Sequence, residues 1–243
     1  MKNWVIAGVV VTGLFAVLFL SDRPAQTPSG LSIIRTSSQY VEANNKAAAL
    51  ALGIFQKAET GAVITDEDKA KLREAVKYFE AMQIYEPRHI ASYFGAGKCL
   101  MLIGEKEKAG EKFAQAILNR GTDPDRDAPS VQMTLIESMG LLSEVTLDLA
   151  AEELGNANSA EQANDAKGAT DAKKRAGIYY EQSLKYATAA VQAAPTGYRY
   201  LVDRANVYQA MGRKAEAKAD IAKALALAPN DPKVQMAAKL IGR

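Results

Sequence analysis

An all-α fold, with antiparallel helix pairs stacked in series as an α-solenoid behind one membrane-spanning helix, is predicted for this 243-residue chain by three observations. An apolar run without a charge occupies residues 4–20. A pattern of large and small residues at fixed offsets recurs in steps of 34 further along the chain. Prolines at Pro87, Pro195 and Pro229 close three of the four recurrences, as expected of a residue that cannot continue a helix.

The clearest unit runs from Tyr198 to Asp231 and places Leu201, Ala205, Tyr208, Gly212, Ala217, Ile221, Ala224 and Pro229 at the offsets of a 34-residue helical hairpin. Small residues at Ala205, Ala217 and Ala224 let two antiparallel helices approach closely, while Leu201, Tyr208 and Ile221 fill the space between them. The segment resembles a tetratricopeptide (TPR) repeat. One such unit cannot bury its own apolar face, so the pattern must recur. Subtracting 108 lands on Tyr93, Gly97, Gly104, Ala109, Phe113 and Ala116. Stepping back 34 from Ala109 and Phe113 gives Ala75 and Phe79, and stepping back 34 from Ala217, Ala224 and Pro229 gives Ser183, Ala190 and Pro195. About four TPR-like helix pairs and a C-terminal capping helix follow.

In chain order, residues 1–21 form a membrane anchor, 22–36 a linker and 37–243 the repeat domain. The run from Trp4 to Leu20 is 17 residues long and would span about 26 Å as a helix, the lower end of what crosses a bilayer. Phe19, Leu20 and Ser21 lack the small residues of a signal-cleavage site, so the span is expected to stay attached. Lys2 ahead of it favours a cytoplasmic N-terminus, with the repeat domain on the exported, periplasmic or lumenal side of this single-pass protein. Gly8, Thr12 and Ala16 put small side chains on one face, where another membrane helix can pack. Pro24, Pro28 and Gly30 then mark a linker.

The repeat units cover about 37–88, 89–125, 131–196 and 197–231, with the cap at 232–243. Thr36 with Gln39, and Thr65 with Asp68, read as helix-start signals for helices from about Ser37 and Asp66. Leu72, Ala75, Val76, Phe79 and Met82 fall on one face of the second helix. A long helix is expected over 131–154, with its partner over 172–193 carrying Tyr180, Leu184, Ala187 and Val191 inward. Between them, residues 155–171 hold almost no large apolar side chain and read as an inserted, partly disordered loop. Asp231 and Pro232 start the cap, whose apolar face is Val234, Ala237, Ala238 and Ile241 with polar residues opposite.

Thirty basic against twenty-eight acidic residues leave a net charge of +2, without the basic excess that nucleic acid binding requires. Cys99 is the sole cysteine, so no internal disulfide forms, and it reads as an apolar filler. The one histidine, His89, lies in the turn after Pro87 and cannot build a histidine-rich metal site. Asp123, Asp125 and Asp127 imitate a calcium loop, but Ala128 and Thr134 stand where glycine and glutamate are required, so a solvated turn is expected. Gly95 to Lys98 lacks the flanks of a phosphate loop and lies within a helix. Glu137, Glu144 and Asp148 read as solvated helix surface. No catalytic group and no cofactor is expected.

The resemblance implies a concave groove lined by the first helix of each pair. Here those positions are Ala91, Phe94, Gly95, Lys98, Met101 and Leu102, then Arg199, Val202, Asp203, Asn206, Gln209 and Ala210. Phe94, Lys98, Met101, Leu102, Arg199, Asp203, Asn206 and Gln209 are the candidate partner contacts. Gly95 stands where carboxylate-clamping relatives carry asparagine. The expected function is that of a membrane-anchored scaffold or assembly factor, whose groove holds a peptide segment or helix of a membrane or exported protein. A permanent structural subunit of a large membrane complex is the alternative.

Overall fold

The structure, a computed structural model, describes residues 31 and 33–241. These residues form nine α-helices: α1 Ser37–Glu59, α2 Asp66–Tyr85, α3 Ile90–Ile103, α4 Lys106–Leu118, α5 Pro129–Gln162, α6 Ala166–Ala193, α7 Tyr198–Ala210, α8 Lys214–Leu227 and α9 Pro232–Ile241. A single 3-10 turn at Asn119–Gly121 follows α4, and no strand is present among the described residues. Each helix packs on the next in sequence. The first helices of successive pairs also touch, α3 on α5 and α5 on α7, with α9 continuing the row against α7.

Local chemistry sets the helix starts. The Thr36 hydroxyl accepts the Gln39 amide, while the Gln39 side chain reaches back to the Arg35 amide at 2.8 Å, one residue earlier than a full capping box requires. Thr65 and Asp68 complete the reciprocal pair, at 3.2 and 2.9 Å. Asp68 also accepts from Lys57 Nζ at 2.5 Å, which ties the end of α1 to the start of α2. That ammonium, with the Thr65 amide and hydroxyl, pulls the Asp68 carboxyl down to about 2.

The repeat phase is visible in the packing. Ala205, Ala217 and Ala224 are fully buried, and Leu201 and Ile221 nearly so. One hundred and eight residues earlier, a methyl on Gly97 would lie 2.6 Å from the Phe113 ring, so the two helices meet at a distance only glycine allows. The turns match as well: Gly104 and Gly212 hold φ of 96° and 75°, a left-handed conformation open to glycine at little cost. Ser183, in the same phase as Ala217, exchanges a 3.0 Å hydroxyl contact with Ser143 across α5 and α6.

Several expectations are corrected. Residues 155–171 are not a loop: α5 runs through Gln162, α6 starts at Ala166, and only 163–165 turn. The pair is therefore an elongated hairpin of 34 and 28 residues, about 50 and 40 Å long. Ala157, Ala169, Ala172 and Ala176 are buried there, so the seam closes by backbone approach rather than by large side chains. Arg175 grips Glu153 at 2.8 and 2.9 Å, Lys173 pairs with Glu161, and Asn164 takes the turn at φ 58°. On α6, Ala187 is buried as expected, but Tyr180, Leu184 and Val191 are only partly so.

The aspartate turn is likewise not wholly solvated. Asp123 is fully buried, and its carboxylate accepts the Ile90 amide at 2.7 Å and the Asp125 amide at 2.8 Å. Asp231, 108 positions later, accepts the Tyr198 hydroxyl at 2.9 Å, so in both units the closing aspartate holds the first residue of its own first helix. The exposed side of the capping helix α9 is polar only in part: Lys233, Gln235 and Lys239 lie there, but Met236 and Leu240 stand 64% and 61% exposed among them. The expected membrane anchor, with Gly8, Thr12 and Ala16, lies outside the described residues. No described helix is long and apolar enough to cross a membrane.

Within the clearest unit, Arg204 of α7 makes two bonds of 2.6 and 2.7 Å to Asp220 of α8, both nearly removed from water. Asp220→Ala leaves the guanidinium buried without its counter-charge and is expected to destabilise the fold by about 3–5 kcal/mol. The double change Arg204→Met with Asp220→Leu is expected to recover most of that loss, both read by urea unfolding.

Candidate functional site

The inward sides of α1, α3, α5 and α7, closed at one end by α9, enclose a groove of about 470 Å³. Phe55, Ala58 and Glu59 come from α1, and Lys98, Met101 and Leu102 from α3. Glu137, Gly140, Leu141 and Glu144 come from α5, Tyr198 to Tyr200 with Val202 and Asp203 from α7, and Lys233 and Val234 from α9. The spacing of Glu137, Gly140 and Glu144 follows one face of a helix, which is why a single straight α5 can supply the whole wall. Gly140 lets the Tyr200 ring lie across it, since a methyl there would be 3.0 Å from that ring.

Of the residues expected to line the groove, Lys98, Met101, Leu102, Arg199 and Asp203 are brought together. Phe94 is half-buried behind them, 6.2 Å from the Phe113 ring, where it supports Lys98. Gly95 is buried against Phe79. Asn206 and Gln209 are exposed and stand outside the lining. Sequence reasoning passed over Phe55, Glu59, Tyr200 and Lys233; Glu137 and Glu144, expected as solvated helix surface, are exposed and also stand in the groove lining. The phase of Gly140, which matches the small position of a first helix, was the signal that could have found the α5 wall.

The groove mixes charged, aliphatic and aromatic side chains. Lys98 Nζ sits 4.4 Å from the Phe55 ring centre and 5.5 Å from that of Phe94, both cation–π distances. On the opposite wall, burial first and the Glu144 charge second push the Asp203 carboxyl up to about 7. Burial and Asp148 raise Glu144 in the same way. Water reaches Glu144, but the concave walls surround it with protein and deprive its charge of a full hydration shell. Lys233 and Arg199 act against the rise at Asp203 without pairing with it. A carboxyl that retains its proton near neutrality can exchange it. The groove lining, however, contains no serine, threonine, cysteine or histidine for such a group to activate.

Other reactive groups have structural partners. His89 Nδ1 bonds the Tyr40 hydroxyl at 2.7 Å. It shares a corner with Asp123 and Asp125, where ligand atoms come within 4.8 Å of one another, but both Asp123 oxygens are taken by backbone amides. Cys99 is buried, and burial pushes its thiol up to about 12, which keeps it unreactive.

Because the folded chain holds a proton on Asp203 that the unfolded chain releases near pH 4, this group's contribution to stability falls as pH rises from about 4 to about 7. Asp203→Asn is expected to leave stability unchanged at pH 4 and to raise it at pH 8 by on the order of 1–2 kcal/mol, the figure being reduced because water enters the groove. Urea unfolding at the two pH values measures it.

A family model described as tetratricopeptide repeat matches residues 198–231. No curated protein matches the chain. Among solved structures the chain is similar to YrrB, a TPR protein with an unusual peptide-binding site, at 14% identity over 84% of this chain and 98% of that one, with a TM-score of 0.29. It is also similar to Acl4, an assembly chaperone of RpL4, at 16% identity over 80% and 84% with a TM-score of 0.26. A third is the Cut9–Hcn1 hetero-tetramer of APC/C, at 14% over 85% and 46% with a TM-score of 0.25. Residues 198–231 thus match a tetratricopeptide repeat, set among the described residues in an all-helical row of packed helices.

Proposed function

We propose that this chain is a membrane-anchored scaffold whose concave groove binds a polypeptide segment of a membrane or exported protein and assists its assembly. The observation that carries the reading is the groove itself. Five helices converge on one channel that mixes aromatic, aliphatic and charged side chains, the composition of a surface that recognises peptide rather than a small apolar ligand. The apolar run over 4–20 supports the membrane part of the proposal. Tethering raises the effective concentration of the groove near membrane clients, so contacts of modest affinity suffice.

The alternative, a permanent subunit of a large membrane complex, draws on the outer face of α9, where Met236 and Leu240 stand uncovered in the isolated chain. Recovery with one complex at fixed stoichiometry after detergent extraction would favour it over transient assembly.

The groove reading predicts that Met101→Glu together with Leu141→Glu lowers retention of a cross-linked partner at least about tenfold, the loss expected when charges enter an apolar contact. Asn206→Ala and Gln209→Ala, outside the lining, should leave retention unchanged. Equal retention by all variants would refute the groove. Removal of residues 1–21 is expected to move the chain from the alkali-resistant membrane fraction to the soluble fraction.

A further inference from the structure

Several carboxylates elsewhere on the surface are gripped by a cation: Lys106 holds both Asp148 and Glu152, Arg175 holds Glu153, and Arg204 holds Asp220. On the wall formed by α5 and α7, Glu137, Glu144 and Asp203 take part in no ion pair and accept no hydrogen bond among the described residues. They nevertheless face a shared space. The position of a methyl on Gly140 is 3.9 Å from Asp203 Oδ2, and Glu137 and Glu144 flank Gly140 one turn to either side. The Tyr200 ring lies against Gly140 on the same wall.

Three carboxylates left without partners on one wall are surroundings that suit a cationic side chain, which would meet opposite charge from two helices. The remaining lining adds apolar contacts beside that spot, from Leu141 and Val202 on the same wall and from Met101 and Leu102 opposite. Resting on the reading of the groove as a polypeptide site, we propose that the α5–α7 wall is a subsite for a lysine or arginine side chain, and that the docked segment carries this residue next to an apolar one.

Every charged group that faces the subsite bears on its behaviour. Glu137, Glu144 and, through its charge on Glu144, Asp148 come from α5, Asp203, Tyr200 and Arg199 from α7, and Lys233 from α9, while Glu59 of α1 and Lys98 of α3 line the same groove. Lys233 and Arg199 offset the acidic field in the free groove and are displaced or screened by the guest. Burial beside Glu144 holds the Asp203 carboxyl up at about 7. A guest cation reverses that cost, so it binds the ionised form and expels the proton that the empty groove retains.

The test uses the purified full-length chain in mild detergent, panned against a display library of random decapeptides. Lysine or arginine should be enriched at one position beside Leu, Met, Phe or Tyr. The double variant Glu144→Gln with Asp203→Asn should lose the basic enrichment and keep the apolar one. For a selected fluorescent peptide, replacing the basic residue with norleucine should weaken binding at least tenfold in the native chain and scarcely at all in the double variant. Native binding should also fall about tenfold between pH 8 and pH 6, the loss expected when a carboxyl titrating near 7 must be ionised. Enrichment of acidic residues, no charge preference, or a basic preference that survives the double variant would each overturn the subsite while leaving the groove intact. Failure of any peptide to enrich would remove both. Circular dichroism melts of the variants confirm that they are folded.

Discussion

The fold depends on how closely two helices of a pair can approach. At the contact points the chain places alanine, glycine or serine: Ala75, Gly97 with Ala109, Ser143 with Ser183, and Ala205 with Ala217. All are buried. Where the backbones meet, there is no room for a methyl in front of the Phe113 ring, and the ring takes the space that a larger residue on α3 would fill. Packing at crystal-like density rewards such contacts through many small dispersion terms, and it punishes any one-carbon addition. The first helices are thereby held side by side, and their remaining faces have nowhere to point except into a common channel.

The same constraint explains which parts of the fold were legible. Periodic small residues specify a close helix crossing wherever large residues accompany them, so the pairs α3/α4 and α7/α8 and the second helix α2 could be placed from offsets, while α1 rested on its start signal at Thr36 and Gln39. The segment 155–171 was misread because it satisfies half of that rule: small residues without large ones. Disorder and an alanine seam share that composition, and what distinguishes them is a partner helix at the right distance. Ala157 is covered, Ala169, Ala172 and Ala176 lie in the facing helix, and cross-helix ion pairs hold the register. None of this is a local property. The buried role of Asp123 was missed for a related reason, although the 108-residue offset to Asp231 was there to be noticed.

The groove was legible in part, and the division is instructive. Lys98, Met101, Leu102, Arg199 and Asp203 followed from their phase within two well-matched units. The α5 wall did not, because α5 belongs to the unit whose second helix is displaced by the elongated hairpin, and its register could be fixed only through Gly140. Glu137 and Glu144 therefore looked like ordinary surface carboxylates. A helical wheel cannot distinguish a face open to bulk water from one turned toward a concave wall. Both glutamates stay exposed to water, and what sets them apart is that residues distant in sequence, from α7 and α9, complete the groove lining around them.

Curvature converts that difference into chemistry. On a convex surface a carboxylate is hydrated from a wide angle, and a lysine within reach gains little by pairing with it. Inside the channel the Asp203 carboxyl is hydrated through a narrower opening, so its ionised form is costlier, and relief comes from whatever approaches with opposite sign. Lys98 rests against the rings of Phe55 and Phe94. Asp203 has no counterpart, since Lys233 and Arg199 lower its proton affinity only in part. The two walls are therefore unequal: Lys98 leans on aromatic rings within the chain, and Glu137, Glu144 and Asp203 face it without a paired cation. A polypeptide held there as proposed would meet a cation on one side and carboxylates on the other, so its own charges would have to be placed to match.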